Sequence, residues 1–193
     1  QVVNTITGDP IGGATISVVN QNNVQLQTVL TDSQGNYTIE GLPPGSYNIV
    51  VSATDFQSNI TGAIVLANAT TTAKIALSLS PGTIIGNISP NQPNTVVQLY
   101  NTNNVFIQST VADNNGNYQF LNLAPGNYIV KAQSPNFITQ SAGALVSPNV
   151  ATTVNLVLPP NPASIEGIVL DVNESSISNA IIQVLDANDT IIG

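Results

Sequence analysis

"TDSQGNYTIEGLPPGSYNIVV", Thr31–Val51, returns later in the chain as "ADNNGNYQFLNLAPGNYIVKA", Ala112–Ala132. An offset of 81 residues aligns Asp32 with Asp113, Gly35 with Gly116, Tyr37 with Tyr118 and Tyr47 with Tyr128. The same offset pairs Phe56 with Phe137 and Pro81 with Pro162, and the alternating stretches Thr71–Ser80 and Ala151–Pro160 answer one another. Self-similarity at a fixed period is the mark of a repeated structural unit. The chain therefore divides into a first repeat over 1–81, a second over 82–162 and the opening of a third over 163–193.

Within each repeat, apolar residues alternate with polar ones, as in Ala14, Ile16 and Val18, in Ala73, Ile75, Leu77 and Leu79, and in Val154, Leu156 and Leu158. Side chains of a strand point alternately to its two faces, so this period reads as half-buried β-strand. No segment shows the three- and four-residue spacing of an amphipathic helix. Short Val-, Ile- and Thr-rich runs broken by Gly, Pro, Asn and Asp predict an all-β chain of tandem seven-stranded, Greek-key-type, immunoglobulin-like β-sandwiches joined in a rod. In the first repeat the strands are expected near Val2–Thr7, Ala14–Val19, Gln25–Leu30, Tyr37–Glu40, Ser46–Ala53, Gly62–Leu66 and Thr71–Leu79. The joints "SPG" (Ser80–Gly82) and "PPNP" (Pro159–Pro162) are short and proline-stiffened, which predicts limited hinge motion.

Composition excludes several classes of function. Two basic against ten acidic residues give a net charge of −8, which cannot neutralise phosphates or hold an anionic membrane surface; neither nucleic acid nor membrane insertion of this segment is expected. Charged residues are 6% of the chain, so Asn, Gln, Ser and Thr carry the surface polarity. Cys and His are absent, which removes disulfides, thiolate metal sites and the commonest general base together. The six Asn-x-Ser/Thr sequons, from Asn36 to Asn188, are what an amide- and hydroxyl-rich chain supplies by chance.

The repeated phrase admits a structural and a chemical reading. Asp at the head of a turn accepts backbone N–H groups, Gly tolerates positive φ, and the following Tyr opens a strand toward the core. A calcium loop would need six to eight oxygens, usually with several carboxylates, whereas each copy has one acid and no closing carboxylate. The turn reading is preferred; no metal, cofactor or catalytic residue is expected.

The order "GDPIGGATISV" (Gly8–Val18), then Asp-x-x-Gly-x-Tyr, then Leu-x-Pro-Gly-x-Tyr, then a Phe some nine residues on, resembles the carboxypeptidase regulatory-like domain, a transthyretin-like (prealbumin-like) β-sandwich found in tandem on secreted and surface proteins. The resemblance covers both repeats and the start of the third, and implies scaffold, stalk or binding-module roles. The second repeat departs from the pattern at its first turn, "SPNQPNTVVQL" (Ser89–Leu99), which lacks the Gly-Ala pair. Related surface sandwiches that form internal isopeptide bonds need a Lys, an Asn and a buried acid. Lys74 falls at the position of Asn155 and Lys131 at that of Val50, and no Glu follows the Pro-Gly-x-Tyr phrase at strand spacing. No internal crosslink is expected.

Without His or a repeated pair of carboxylates, an enzyme is not expected. The reading is a structural tandem-repeat module of an extracellular stalk or filament on a cell surface or surface appendage, giving reach and stiffness. The alternative is a carbohydrate- or peptide-binding adhesin module that uses the Asn-rich loops "NQNNVQ" and "NTNNVF", with Asn103, Asn104, Tyr100 and Phe106 as its contact residues. Expected partners are neighbouring repeats or copies of itself. Strand addition through 163–193 is one route, which needs an acceptor with a gap; both full repeats read as complete, so a chain cut from a longer array is the preferred account of the partial third repeat.

Overall fold

The computed structural model describes residues 1–191, in which there are fourteen strands and no helix. Two compact units are present, Gln1–Pro160 and a second from Asn161 onward. The first unit contains two hydrophobic cores with no residue in common, one built from the first repeat and one from the second.

In the first repeat, β1 (Val2–Asn4), β2 (Thr15–Val19), β3 (Gln25–Leu30), β4 (Gly45–Ser52), β5 (Asn59–Val65) and β6 (Ile75–Leu77) form an antiparallel sheet of order β3-β2-β4-β5 and a parallel pair, β1-β6. The alternation read from the sequence is the burial pattern: Ile16 and Val18 on β2, Ile49 and Val51 on β4, and Ile75 and Leu77 on β6 are all buried. Each large aliphatic side chain taken fully out of water contributes about 1.5–3 kcal/mol.

The second repeat comprises β7 (Gly82–Ser89), β8 (Val96–Asn101), β9 (Phe106–Val111), β10 (Asn117–Leu123), β11 (Gly126–Gln133), β12 (Gln140–Val146), β13 (Ala151–Thr153) and β14 (Leu156–Val157). One sheet, β12-β11-β8-β9, matches that of the first repeat. The other is larger: β7 lies between antiparallel β10 and parallel β13, with β14 also paired to β7. Ile84, Ile88, Val97, Leu99, Val130 and Leu158 are essentially solvent-free between the sheets.

The two repeats are thus built to one plan but are not equally filled. The strand expected at Tyr37–Glu40 is not formed, although its counterpart Asn117–Leu123 is β10. The strand expected over Val2–Thr7 stops at Asn4, because Asn4 Oδ1 accepts the N–H groups of Ile6 and Thr7 and the chain turns back so that Asn4 N donates to Asp9 O. The register differs as well. Val2 N donates to Gly35 O and Val2 pairs with Ile75, just as Ile88 N donates to Gly116 O and Ile88 pairs with Leu156. Val2 therefore occupies the place of Ile88, whereas the 81-residue offset assigns Thr7 to it. The loop Thr5–Ala14, longer than its counterpart Pro90–Thr95, absorbs the difference.

In the first repeat no strand stands where Gly82–Gly86 stands in the second, and the chain segments on either side, Tyr37–Leu42 and Thr70–Thr72, lack the ladder that would make them strands. The partial third repeat forms no strand among its described residues. Only the isolated bridges Leu170–Ser176 and Leu185–Ile191 occur, since two strands without a partner sheet bury too little to hold together.

Candidate functional site

The polar side chains that recur at the 81-residue offset make the same contacts twice, and each contact is to nearby backbone. Asp32 Oδ1 accepts the N–H groups of Gln34 and Asn36 at 2.9 and 2.8 Å; Asp113 Oδ1 accepts those of Asn115 and Asn117 at the same two distances. Gly35 and Gly116 complete the turns at φ +69° and +79°, a region in which side-chain-bearing residues are strained. The backbone N–H of Asn36, and then that of Gln34, hold the Asp32 carboxyl below its ordinary value, and Asn117 and Asn115 do the same for Asp113. These oxygens close a turn. Among the described residues, no three His, Cys, Asp or Glu side chains gather where a cation would sit.

The tyrosines behave alike. Tyr47 OH donates to Pro43 O and Tyr128 OH to Ala124 O, both at 2.7 Å, pinning the Pro-Gly corner that precedes β4 and β11. Tyr37 OH donates to Ala73 O at 3.1 Å and Tyr118 OH to Val154 O, the latter crossing β7. Thr71 and Thr152 hydroxyls donate to Ile64 O and Leu145 O at 2.6 Å.

The Asn-rich loops are hairpin turns stabilised by their own amides. Asn20 Oδ1 accepts the N–H groups of Asn22 and Val24, Asn101 Oδ1 accepts those of Asn103 and Val105, and Asn23 and Asn104 take positive φ as the bulged turn requires. Tyr100 and Phe106 stand edge to face beside the second of these loops, ring centroids 5.8 Å apart, with Phe106 half exposed. This aromatic pair has no counterpart in the first repeat, where Val19 and Gln25 hold the aligned positions. Lys74 is exposed, and the Asn155 that replaces it accepts the N–H of Asn87, capping β7 from the side.

One concavity is absent from the sequence reading. A cleft of about 740 Å³ opens in the first repeat between Tyr37–Leu42 and Leu66–Ala73, with Tyr47, Ile49, Ala63 and Val65 forming its floor. Tyr37, Ile39, Leu42, Ala63, Val65 and Ala73 are each half-buried there, while their counterparts Tyr118, Phe120, Leu123, Ala144, Val146 and Val154 are buried in the second repeat. Ile84, fully buried on β7, belongs to the same core as those counterparts. In the register set by Val2 and Ile88, the segment equivalent to Gly82–Gly86 falls ahead of Gln1.

The model of the carboxypeptidase regulatory-like domain matches residues 1–78 and again 82–159. Colossin-A of Dictyostelium discoideum is 29% identical over 143 residues, covering 62% of this chain and 1% of that protein. The serine-aspartate repeat-containing protein D of Staphylococcus aureus strain Newman is 25% identical over 159 residues, covering 67% of this chain and 12% of that protein. The chain thus spans a small fraction of these relatives. Among solved structures, the Bacillus anthracis TIE protein aligns over 83% of this chain and 33% of its own, at a TM-score of 0.46 and 16% identity. A minor pilin of Streptococcus agalactiae aligns over 83% and 88%, at a TM-score of 0.39 and 13% identity. With two successive matches that together span most of its length, the chain belongs to the carboxypeptidase regulatory-like domain family.

Proposed function

We propose that the chain is a structural tandem-repeat segment of an extracellular stalk or filament on a cell surface, its repeats 1–81 and 82–162 supplying reach and stiffness. The observation that supports this most directly is the use of the recurring polar side chains. Asp32 and Asp113, Tyr47 and Tyr128, Tyr37 and Tyr118, and Thr71 and Thr152 all bond to backbone within their own repeat. What repeats is therefore the apparatus that fixes a shape. A catalytic repeat would instead keep an unsatisfied nucleophile or a tuned acid–base pair facing a pocket. The low charge and the near absence of Lys and Arg suit a segment exposed to trypsin-like proteases.

Antibody against the chain, applied to intact cells of the source organism, is expected to label the surface or an appendage. Single-molecule stretching of the full chain is expected to show one unfolding event per full repeat, each releasing roughly 27 nm of chain. Label confined to the cell interior overturns the reading. So does micromolar binding on a glycan or peptide array that is lost on changing Asn103 and Asn104, because the hairpin tips would then be recognition loops.

A further inference from the structure

A sheet ends in edge strands whose outward N–H and C=O groups can pair with another strand unless something covers or breaks them. Most edges here are dealt with. On β12 the Thr152 hydroxyl donates to Leu145 O at 2.6 Å, and Thr71 does the same for Ile64 O on β5. A register shift between Phe120 and Leu123 breaks β10, with Asn122 at φ +56°, and β13 and β14 are three and two residues long.

The outer edge of β9 has no such cover. It ends the sheet β12-β11-β8-β9 and pairs with β8 on its other side. Ala112 N donates to Thr95 O, and bonded pairs alternate with unbonded ones along an antiparallel ladder, so Thr110 and Gln108 bond to Val97 and Leu99. The N–H and C=O groups of Ser109 and Val111 therefore point away from β8, and among the described residues nothing bonds to them. Apolar surface collects at the same edge: of the eleven large apolar side chains exposed in the second repeat, the five of Val96, Val105, Phe106, Ile107 and Val111 belong to β8, β9 and the turn between them. Thr110 and Val111 open onto a polar groove of about 650 Å³ that they share with Asn117 and Gln119 of β10. In the first repeat β3 keeps the arrangement, with Val24, Leu26 and Leu30 exposed and Thr31 N donating to Ala14 O.

We infer that β9 of one copy pairs antiparallel with β9 of a second copy about a two-fold axis at Thr110, joining two four-stranded sheets into one of eight strands. The bulge where the register shifts between Leu99 and Tyr100 leaves Gln108–Ala112 as the straight part of the edge, and Thr110 is its middle. Ser109 then exchanges both backbone bonds with the partner's Val111, and Thr110 stands opposite its own equivalent.

The occupant is a second copy because β9 fits itself. No charged residue lies between Thr95 and Ala112, so self-pairing brings no like charges together in a chain of net charge −8. The first acid beyond, Asp113, is bonded into its own turn, and six residues of strand, about 20 Å, separate it from the partner's Asp113. That exceeds the screening length of about 8 Å at physiological salt. A Thr–Thr pair on the axis is itself a stabilising cross-strand contact. The contact uses one patch on both copies and closes at two. It goes beyond the stalk reading by adding a lateral partner.

The chain has no cysteine, so a new one reports on this contact alone. Thr110→Cys in the full chain is expected to give a disulfide-linked dimer on mild oxidation, reversed by reductant, and at least tenfold faster than Ser109→Cys, which the register sets against Val111. In sedimentation velocity the unmodified chain is expected to pass from monomer to dimer as concentration rises. Ser109→Pro removes an N–H that faces solvent in the monomer, so it is expected to leave the circular dichroism spectrum unchanged and to weaken dimerisation at least tenfold. Ser109→Lys, which charges the edge without touching the backbone, is expected to weaken it too, and more at low salt. A chain that stays monomeric overturns the inference and leaves the stalk reading standing. Association that survives both Ser109→Pro and Ser109→Lys overturns the assigned edge, and faster crosslinking of Ser109→Cys than of Thr110→Cys overturns the register.

Discussion

Tyr118 lies across Gly86, and its hydroxyl reaches over β7 to the carbonyl oxygen of Val154, tying β10 to the strand on the far side of the sheet. The bare Cα of Gly86 makes that crossing possible. Gly86→Ala places a methyl group within 2.6 Å of the ring and against the Val154 carbonyl, and overpacking of this kind costs about 1–3 kcal/mol. Gly143, on β12 in the same repeat, has nothing closer than 4.0 Å to such a methyl and no positive φ. Urea denaturation of the full chain is expected to show the second repeat losing stability with Gly86→Ala and changing little with Gly143→Ala; equal effects would refute the crossing.

Burial raises the Tyr118 phenol from an ordinary 10.0 to about 12. A group with a raised folded value contributes stability that is fully present below the unfolded value and disappears as pH rises through the folded one. The second repeat is therefore expected to lose stability between about pH 10 and 12, and Tyr118→Phe to flatten that limb. Thermal melts of both proteins across this range check it, and parallel curves would count against it.

For Asp32 and Asp113 the sign is opposite. Their carboxyls sit below the ordinary 3.8 because backbone N–H groups favour the anion. The stability they confer is present above that value and lost as pH falls through the lower folded one. Asp32→Asn with Asp113→Asn retains an acceptor oxygen at each turn but removes the charge, so the double variant is expected to show a flatter decline below about pH 4. An acid titration followed by circular dichroism reads this directly; an unchanged slope would mean that the turns do not depend on the charge.

A buried hydroxyl has moved along the chain between the repeats. Thr31 Oγ1 donates to Ile11 O at 2.7 Å and accepts the Ala14 N–H at 2.8 Å; at the aligned positions in the second repeat the hydroxyl belongs to Thr95 and the methyl to Ala112. Thr31→Val leaves the Ala14 N–H without its partner inside the protein and is expected to cost about 1–3 kcal/mol. Thr95→Val removes one bond to Gln92 O, which still accepts the Thr95 N–H, and is expected to cost only about 0.5–1.5 kcal/mol. Paired denaturant titrations decide the order, and a larger loss at Thr95 would contradict it.

What the sequence determined by itself is what local chemistry dictates. Asp-x-x-Gly-x-Tyr specifies a turn wherever it occurs, because an Asx oxygen and a positive-φ glycine act over four residues. Alternation in Ala14–Val18 and Val154–Leu158 specifies which side of a strand is dry. From these the repeat length, the all-β class and the turn role of the recurring phrase were legible. The pairing of strands was not, since a ladder joins residues far apart in the chain and a segment becomes a strand only if a neighbour is present. Tyr37–Glu40 has every local feature of Tyr118–Leu123 yet forms no strand, for want of a partner where β7 stands in the other repeat. Only the tertiary structure placed Val2 at the position of Ile88 and left Ile165 in solvent, because each of these depends on which backbone edges meet in space.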